Sequence, residues 1–167
     1  MLGIAFNQPA TNNNTEYLKE VQYANPDHLS ARVRFYRGCS TNEVGFPDFL
    51  FNLILECAGT KTSLLEVGAG TGNLWAGSRC DKTPAEWQLY LTDVSEAYVG
   101  HLAKSSIATR TGVTFCVADV QALPFNEGQF DIVVAMHMLY HARDIEQSLV
   151  EIKRVMRPGG MLIASTM

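Results

Sequence analysis

The sequence has no closely spaced pair of cysteines. Its four cysteines are Cys39, Cys57, Cys80 and Cys116, and none forms a CxxC motif. This spacing excludes a zinc knuckle and a thioredoxin-type redox motif. Three of the four lie in or beside apolar runs, which we interpret as the behaviour of small buried hydrophobic residues. We expect a reduced, cytoplasmic protein.

Long apolar runs and basic clusters are also missing. No stretch reaches the roughly 18 apolar residues of a membrane span. The N-terminus lacks the basic and apolar regions of a signal peptide. The 13 basic and 17 acidic residues give a net charge of −4, which disfavours a nucleic-acid surface. We therefore expect neither a nucleic acid nor a membrane as a partner.

What is present is the composition of a globular domain, with 167 residues of which 47% are hydrophobic. Residues 1–14 are polar and predict a flexible tail. Residues 15–60 predict N-terminal helices, one from Asn25 to about Tyr36 and one from about Pro47 to Gly59. They form a candidate lid or substrate wall over a core at residues 61–167.

The core alternates short apolar runs with helical patterns, which predicts an α/β fold with a mostly parallel sheet. The predicted strands are Ser63–Val67, Gln88–Thr92, Val113–Val117, Phe130–Ala135 and Met161–Ser165. The predicted helices begin at about Thr71, run from Ser95 to about Ser106, and run from about Arg143 to Met156.

The first strand runs into three glycines at alternate positions, Gly68, Gly70 and Gly72. Glycines there allow a sharp turn and a close approach to a ligand, although a tight turn without a ligand is the alternative. A dinucleotide site has a third glycine where this chain has Asn73. Glu66 would repel a pyrophosphate. A nicotinamide-dependent oxidoreductase therefore explains the glycines but not Asn73 or Glu66.

Glu66 and the glycines resemble the E/D-x-G-x-G-x-G motif of class I S-adenosylmethionine-dependent methyltransferases, in particular the small-molecule, UbiE-like type 11 group. Asp93 follows at the end of the second strand, and Asp119 lies in a segment similar to G-D-A-x-x-L-P-F. The resemblance implies a Rossmann-like, doubly wound sheet in the order 3-2-1-4-5. It also implies S-adenosyl-L-methionine as cofactor and S-adenosyl-L-homocysteine as product.

The same resemblance implies roles for single residues. Glu66 would help to hold the ammonium end of the cofactor, Asp93 would accept from both ribose hydroxyls, and Asp119 would accept from the adenine amino group. Val94 would pack on the adenine, and the Val120 N–H would face a ring nitrogen. The remaining predicted cofactor contacts are Gly68, Ala69, Gly70, Gly72, Asn73 and Met136.

Two of these acids have structural alternatives. Asp93 would also suit a helix N-terminus beside a capping Ser95, and Asp119 would also suit an Asx turn. Asp131 and the Pro158-Gly159-Gly160 turn match the family at positions that are more often structural.

His137 and His141 are spaced to share one helix face. A zinc site of the H-E-x-x-H type would need Glu where Met138 stands, and no third ligand is indicated, so we expect no metal. The resemblance places His137 near the methyl group, as a contact or a general base, and gives His141 a packing role.

The function that follows is methyl transfer to a small-molecule acceptor by in-line displacement. The alternatives are a cofactor-binding chain that is inactive or depends on a partner, and the oxidoreductase. The family's usual last two strands are missing, so we expect a shortened chain, with a homodimer partner or a missing C-terminal segment covering the last strand. Candidate acceptor-lining aromatics, which could equally be core, are Tyr23, Phe35, Tyr36 and Phe46.

Overall fold

The structure is a computed structural model and describes residues 31, 33–35 and 38–165. A five-stranded parallel sheet forms its centre, in the order β3-β2-β1-β4-β5. The strands are β1 Ser63–Val67, β2 Gln88–Asp93, β3 Val113–Val117, β4 Phe130–Met136 and β5 Met156–Ser165. The predicted α/β class and strand order are confirmed.

Both faces of the sheet are covered, which explains why residues 132–135 of the central strand β4 are apolar throughout. Leu64 packs in one core with α1 (Phe46–Cys57), whereas its neighbour Leu65 points to the opposite core with Ile152 and Val155. Successive strand residues therefore face different cores. This placement fixes the register of β1 and the position at which its glycine loop begins.

The other α-helices beside the described sheet are α2 (Ser78–Lys82), α3 (Glu96–Leu102) and α4 (Ile145–Val155). Helix α1 matches its prediction closely, with Pro47 in its first turn. Helix α4 begins after Asp144, whose side chain accepts a hydrogen bond from the Gln147 N–H at 2.9 Å.

The prediction of a continuous helix from about Thr71 is wrong. The chain forms a 3-10 turn at Asn73–Trp75, an extended residue at Ala76, and only then the short α2. Gly77, at φ +61° and ψ −140°, separates the two because this backbone conformation does not continue a helix. Helix α3 is also shorter than expected, and a 3-10 turn at Ser106–Thr109 follows it.

Several expectations fall partly or wholly outside the described residues. The tail at 1–14 and most of the first predicted helix lie there, although residues 31 and 33–35 are helical. The interpretation of the cysteines as buried is wrong, since Cys39 and Cys57 are exposed and Cys80 and Cys116 are half-buried. Among the helices described, none is long and apolar enough to cross a membrane.

Candidate cofactor and acceptor site

The carboxyl ends of the central strands place the predicted site residues along one edge of the sheet. Val67 of β1 pairs with Thr92 of β2 and with Ala135 of β4, and Met136 pairs with Ser165 of β5. Since β1 connects to β2 on one side and lies beside β4 on the other, this edge is a topological switch point. Ligands of open α/β sheets bind at such points.

The loop after β1 has the backbone shape that its glycines allow. Gly68, Gly70 and Gly72 have φ values of 69°, 56° and 72°. A Cβ on Gly68 would lie 2.8 Å from Met138 Cβ, and one on Gly72 would lie 2.6 Å from Leu102 Cδ2. Both the left-handed backbone and the lack of space therefore require glycine at these two positions.

Asp93 joins this loop to the end of β2. Its Oδ2 accepts from the Gly70 N–H at 3.0 Å, and its Oδ1 accepts from the Ser95 N–H at 2.9 Å. Burial raises the pKa of Asp93, and the backbone hydrogen bonds oppose that shift. The predicted loop and the predicted ribose-binding acid are thus in direct contact.

Glu66 is buried beneath the same loop. Its Oε2 accepts a hydrogen bond from Trp75 Nε1 at 2.6 Å. Burial raises the pKa of Glu66 to about 8, the Trp75 hydrogen bond lowers it, and the nearby Asp93 adds to the rise. At neutral pH this carboxyl is therefore mostly protonated.

Sequence analysis missed Trp75 and Arg79. Arg79 donates to the Leu74 and Asn73 carbonyl oxygens at 2.9 and 2.8 Å and pairs with Asp48 of α1 at 2.5 Å. The Trp75 ring also meets Phe51 of α1 edge-on, with centroids 6.2 Å apart. The sequence signals these two residues only by their position, three and seven residues after the last glycine of the motif.

Asp119 lies beyond the end of β3 and adopts the turn that was its structural alternative. Its Oδ1 accepts from the Gln121 N–H at 2.9 Å and from Gln121 Nε2 at 3.1 Å. The Asp93 carbonyl accepts from the Ala118 N–H at 3.0 Å, which brings the two acidic segments together. Val94 is half-buried and Val120 buried nearby in sequence.

His137 does not share a helix face with His141, so that expectation is wrong. It lies at φ +51°, before a 3-10 turn at Leu139–His141. Its backbone N–H donates to the carbonyl and to Oγ of Ser165, each at 3.2 Å. Its Nδ1 lies 3.1 Å from the same Oγ. Ser165 is another residue that sequence analysis missed.

An open cleft of about 630 Å³ lies beside this histidine. Phe46 lines the cleft, and its ring centroid is 5.1 Å from that of His137. The lining residues are Ser40, Thr41, Asn42, Glu43, Val44, Phe46 and Phe49. Of the aromatics predicted to line the acceptor, Phe46 lies here, Phe35 is exposed, and Tyr23 and Tyr36 lie outside the described residues.

Asp131 is structural, at the opposite edge of the sheet from the glycine loop. Its Oδ2 accepts from the Ser63 N–H at 2.8 Å, and its Oδ1 pairs with Arg157 at 2.5 Å. Within the ranges that the structure describes, no group of three or more His, Cys, Asp or Glu side chains could hold a metal ion.

The strand order, the glycine loop and the acid at the end of β2 define a Rossmann-like methyltransferase fold. A family model described as "Methyltransferase domain" matches residues 65–164, more than half of the chain. The chain belongs to this family. The predicted family and cofactor class, S-adenosylmethionine-dependent methyltransferase, are therefore confirmed.

Known proteins with similar sequences include polyketide synthase PksM of Bacillus subtilis, which is 32% identical over 111 residues, 62% of this chain and 3% of that protein. The ubiquinone/menaquinone biosynthesis C-methyltransferase UbiE of Idiomarina loihiensis is 28% identical over 115 residues, 65% of this chain and 45% of that protein. The chain thus spans less than half of the length of these curated relatives.

The fold is similar to that of solved structures. A SAM-dependent methyltransferase from Aquifex aeolicus superposes with a TM-score of 0.62 and 19% identity, covering 83% of this chain and 70% of that one. At this level of identity the likeness concerns the fold alone.

Proposed function

We propose that this chain transfers a methyl group from S-adenosylmethionine to a small-molecule acceptor. The observation that carries the proposal is the pair of hydrogen bonds at Asp93, which joins the glycine loop to the end of β2. This contact puts a carboxylate and a close-approach loop side by side at the switch point. A ribose with two neighbouring hydroxyls is the ligand part that such an arrangement suits.

The donor set supports the fit of the cofactor. The Asp93 carboxylate accepts backbone N–H groups from Gly70, Ser95 and Val94. A carboxylate has about four lone-pair sites, so it keeps capacity for a ribose hydroxyl. Asp119 Oδ1 accepts from the Gln121 N–H and from Gln121 Nε2, whereas Oδ2 accepts from Nε2 alone, so Oδ2 keeps one site for an adenine amino group.

Glu66 has a different part in the proposal. Its carboxyl is only 4% exposed and is held by Trp75, so it acts from beneath the loop. A ligand ammonium near the loop would favour the ionised carboxylate and lower its pKa. We therefore propose that Glu66 stabilises the ammonium end of the cofactor, through this charge rather than through an exposed contact.

Bound S-adenosylmethionine supplies an activated methyl group on a sulfonium. The protein then has to hold the acceptor in line with that methyl, exclude water and, where needed, take up a proton. The contact between His137 and Phe46 supports a part for both in these tasks, and Met136, the residue before His137, ends the strand that precedes them. PksM and UbiE, named for polyketide and quinone biosynthesis, support a small-molecule acceptor.

Location and assembly remain part of the proposal. All four cysteines are free thiols, which supports a location in the reducing cytoplasm. Strand β5 is an edge of the described sheet, with Met161 exposed on it, and we propose that a second copy or a further segment covers this edge. Sedimentation at increasing protein concentration would test for the second copy.

The experiment for the activity uses S-adenosylmethionine with an isotopically labelled methyl group and a broad acceptor panel. We expect labelled acceptor and S-adenosylhomocysteine to form together, and both to be lost with Asp93→Ala. The matched control, Asp81→Ala, removes an exposed acid of α2 and should keep the activity. Cofactor binding without transfer to any acceptor would favour the alternative of an inactive or partner-dependent chain.

A further inference from the structure

His137 is held in a conformation that its own sequence does not favour. Among the described residues other than glycine, His137 alone has a positive φ, at +51°. Such a backbone is uncommon for residues other than glycine and persists only where neighbours impose it. Here the neighbour is Ser165, whose carbonyl and hydroxyl oxygens both accept from the His137 N–H.

The same serine also fixes the imidazole. Nδ1 lies 3.1 Å from Ser165 Oγ, and the ring contacts that of Phe46 at an angle of 38°. Within the part of the chain that the structure describes, no hydrogen-bond partner of Nε2 is found. One ring nitrogen is therefore anchored, and the other belongs to a ring that contacts Phe46, a lining residue of the cleft.

The cleft itself suits an uncharged, ring-bearing molecule. Val44, Phe46 and Phe49 line it and are 56%, 45% and 57% exposed, which is unusual for three large apolar side chains so close in sequence. Glu43 is the charged residue among the lining residues described, and it would repel an anion. Phe46 joins the cleft to His137 because it contacts both.

We propose that Ser165 is a positioning residue that makes His137 a proton acceptor for an uncharged, ring-bearing methyl acceptor in the Phe46 cleft. Ser165 Oγ accepts from Nδ1–H, so Nε2 carries the free lone pair. The acceptor class is then a molecule whose reacting atom bears a proton, such as a phenol or an enol. This inference rests on the proposed function for the identity of the reaction.

The step balances. The proton leaves the reacting atom of the acceptor for Nε2, and His137 becomes an imidazolium. The electron pair left on the acceptor forms the new bond to the methyl carbon. The pair of the broken methyl–sulfur bond stays on sulfur, which loses its positive charge.

The first experiment reads the histidine tautomer in the protein without cofactor. Long-range ¹H–¹⁵N spectra distinguish a protonated from a bare ring nitrogen, and His137→Gln identifies the signal, with His101→Gln on exposed α3 as its control. We expect Nδ1 to be protonated and Nε2 bare in the starting protein and in Ser165→Thr, which keeps the hydroxyl. In Ser165→Ala we expect a shift towards the Nε2–H form, and Ser106→Ala should change nothing.

The second experiment measures the binding of two probes to the cleft. They are 2-naphthol, which is uncharged, and 2-naphthoate, an anionic carboxylate with the same rings. We expect 2-naphthol to move the Nε2 signal of His137, and Phe46→Ala to weaken its binding about tenfold, since the ring loses an aromatic contact. Val117→Ala, an exposed apolar residue of β3, should leave binding unchanged. We expect 2-naphthoate to bind more weakly.

Protonated Nε2 in the starting protein, an unchanged tautomer in Ser165→Ala, or preferred binding of 2-naphthoate would each overturn the inference. None of these readouts uses S-adenosylmethionine. Failure of the proposed function would be seen as no cofactor binding or no transfer. It is therefore distinguishable from failure of the inference about His137 and Ser165.

Discussion

The two sides of the candidate site are built differently. The cofactor side, defined by Glu66, the loop from Gly68 to Gly72 and Asp93, is buried, with Glu66 4% and Asp93 8% exposed. The acceptor side, defined by Phe46, His137 and Ser165, is open, with Phe46 45% exposed. Changes on the cofactor side should therefore affect folding and binding together, whereas the acceptor side should tolerate substitution without unfolding.

The largest expected effect lies on the cofactor side. Asp93→Ala should weaken S-adenosylmethionine binding about a thousandfold, because two charged hydrogen bonds of roughly 2 kcal/mol each are lost. Calorimetric titration measures the change, and Asp81→Ala on α2 is the matched control. Asp93→Asn keeps the size of the side chain and guards against a folding defect. Unchanged affinity in both Asp93 variants would contradict the ribose assignment.

Glu66 should make the stability of the cofactor side depend on pH. Its pKa is raised from 4.5 to about 8 in the folded chain. Because the folded state then holds a proton that the unfolded state has released, the free energy of unfolding falls as pH rises between these values. Glu66→Gln should remove this component. Between pH 5.5 and pH 8.5, the free energy of unfolding of the parent should therefore fall by roughly 3 kcal/mol more than that of the variant.

Urea unfolding of the parent and of Glu66→Gln at the two pH values measures this difference. Asp93, whose pKa is also raised, titrates in both proteins and cancels in the comparison to first order. Glu56→Gln, an exposed acid of α1, is the control. A parent-to-variant difference that does not change with pH would contradict the buried, protonated state.

Substitutions at Gly68 and Gly77 distinguish the cost of an unfavourable backbone conformation from the cost of a steric clash. Both have positive φ, at 69° and 61°, but a Cβ on Gly77 would meet nothing within 4 Å. Gly77→Ala should lower the free energy of unfolding by about 2 kcal/mol, because its backbone at φ +61° and ψ −140° lies in a region open essentially to glycine alone. Gly68→Ala should lower it by about 2 kcal/mol more, since Met138 Cβ cannot move aside easily. Equal losses in urea unfolding would show that the loop has room.

The smallest effect concerns the link from α1 to the loop. Asp48→Asn removes the charge that pairs with Arg79, and Asp48 is half exposed, at 51% of its side chain. We expect a loss of at most about 1 kcal/mol in urea unfolding, since solvent screens such a pair. Arg79→Met should cost more, because it also leaves the Leu74 and Asn73 carbonyl oxygens without their donor. The reverse order would contradict the structural role of the arginine.

The fold, and the positions of the glycine loop and of Asp93 in it, could be predicted from the sequence for a physical reason. The short apolar runs of β1 and β4, bounded by turn residues, favour buried strands, and glycines at 68 and 72 suit the local backbone shape and space. Asp93 follows its strand directly, so its position depends on a few neighbouring residues. Such local constraints can be read from the order of residues.

The acceptor side could not be predicted in this way. The pairing of His137 with Ser165 joins residues 28 positions apart, and the contact with Phe46 comes from another part of the chain. The expected helix from Thr71 failed because Trp75 turns inwards to Glu66, a tertiary contact that overrides local propensity. Long-range contacts of exposed side chains leave no periodic pattern in the sequence.

The central claim is that the loop after β1 and Asp93 form a site for S-adenosylmethionine. Calorimetric titration of the chain with S-adenosylmethionine, beside NADH in the same buffer, tests it most directly. The account predicts saturable binding of S-adenosylmethionine, its loss in Asp93→Ala, and no binding of NADH. Binding of NADH alone, or S-adenosylmethionine binding that survives in Asp93→Ala, would contradict it.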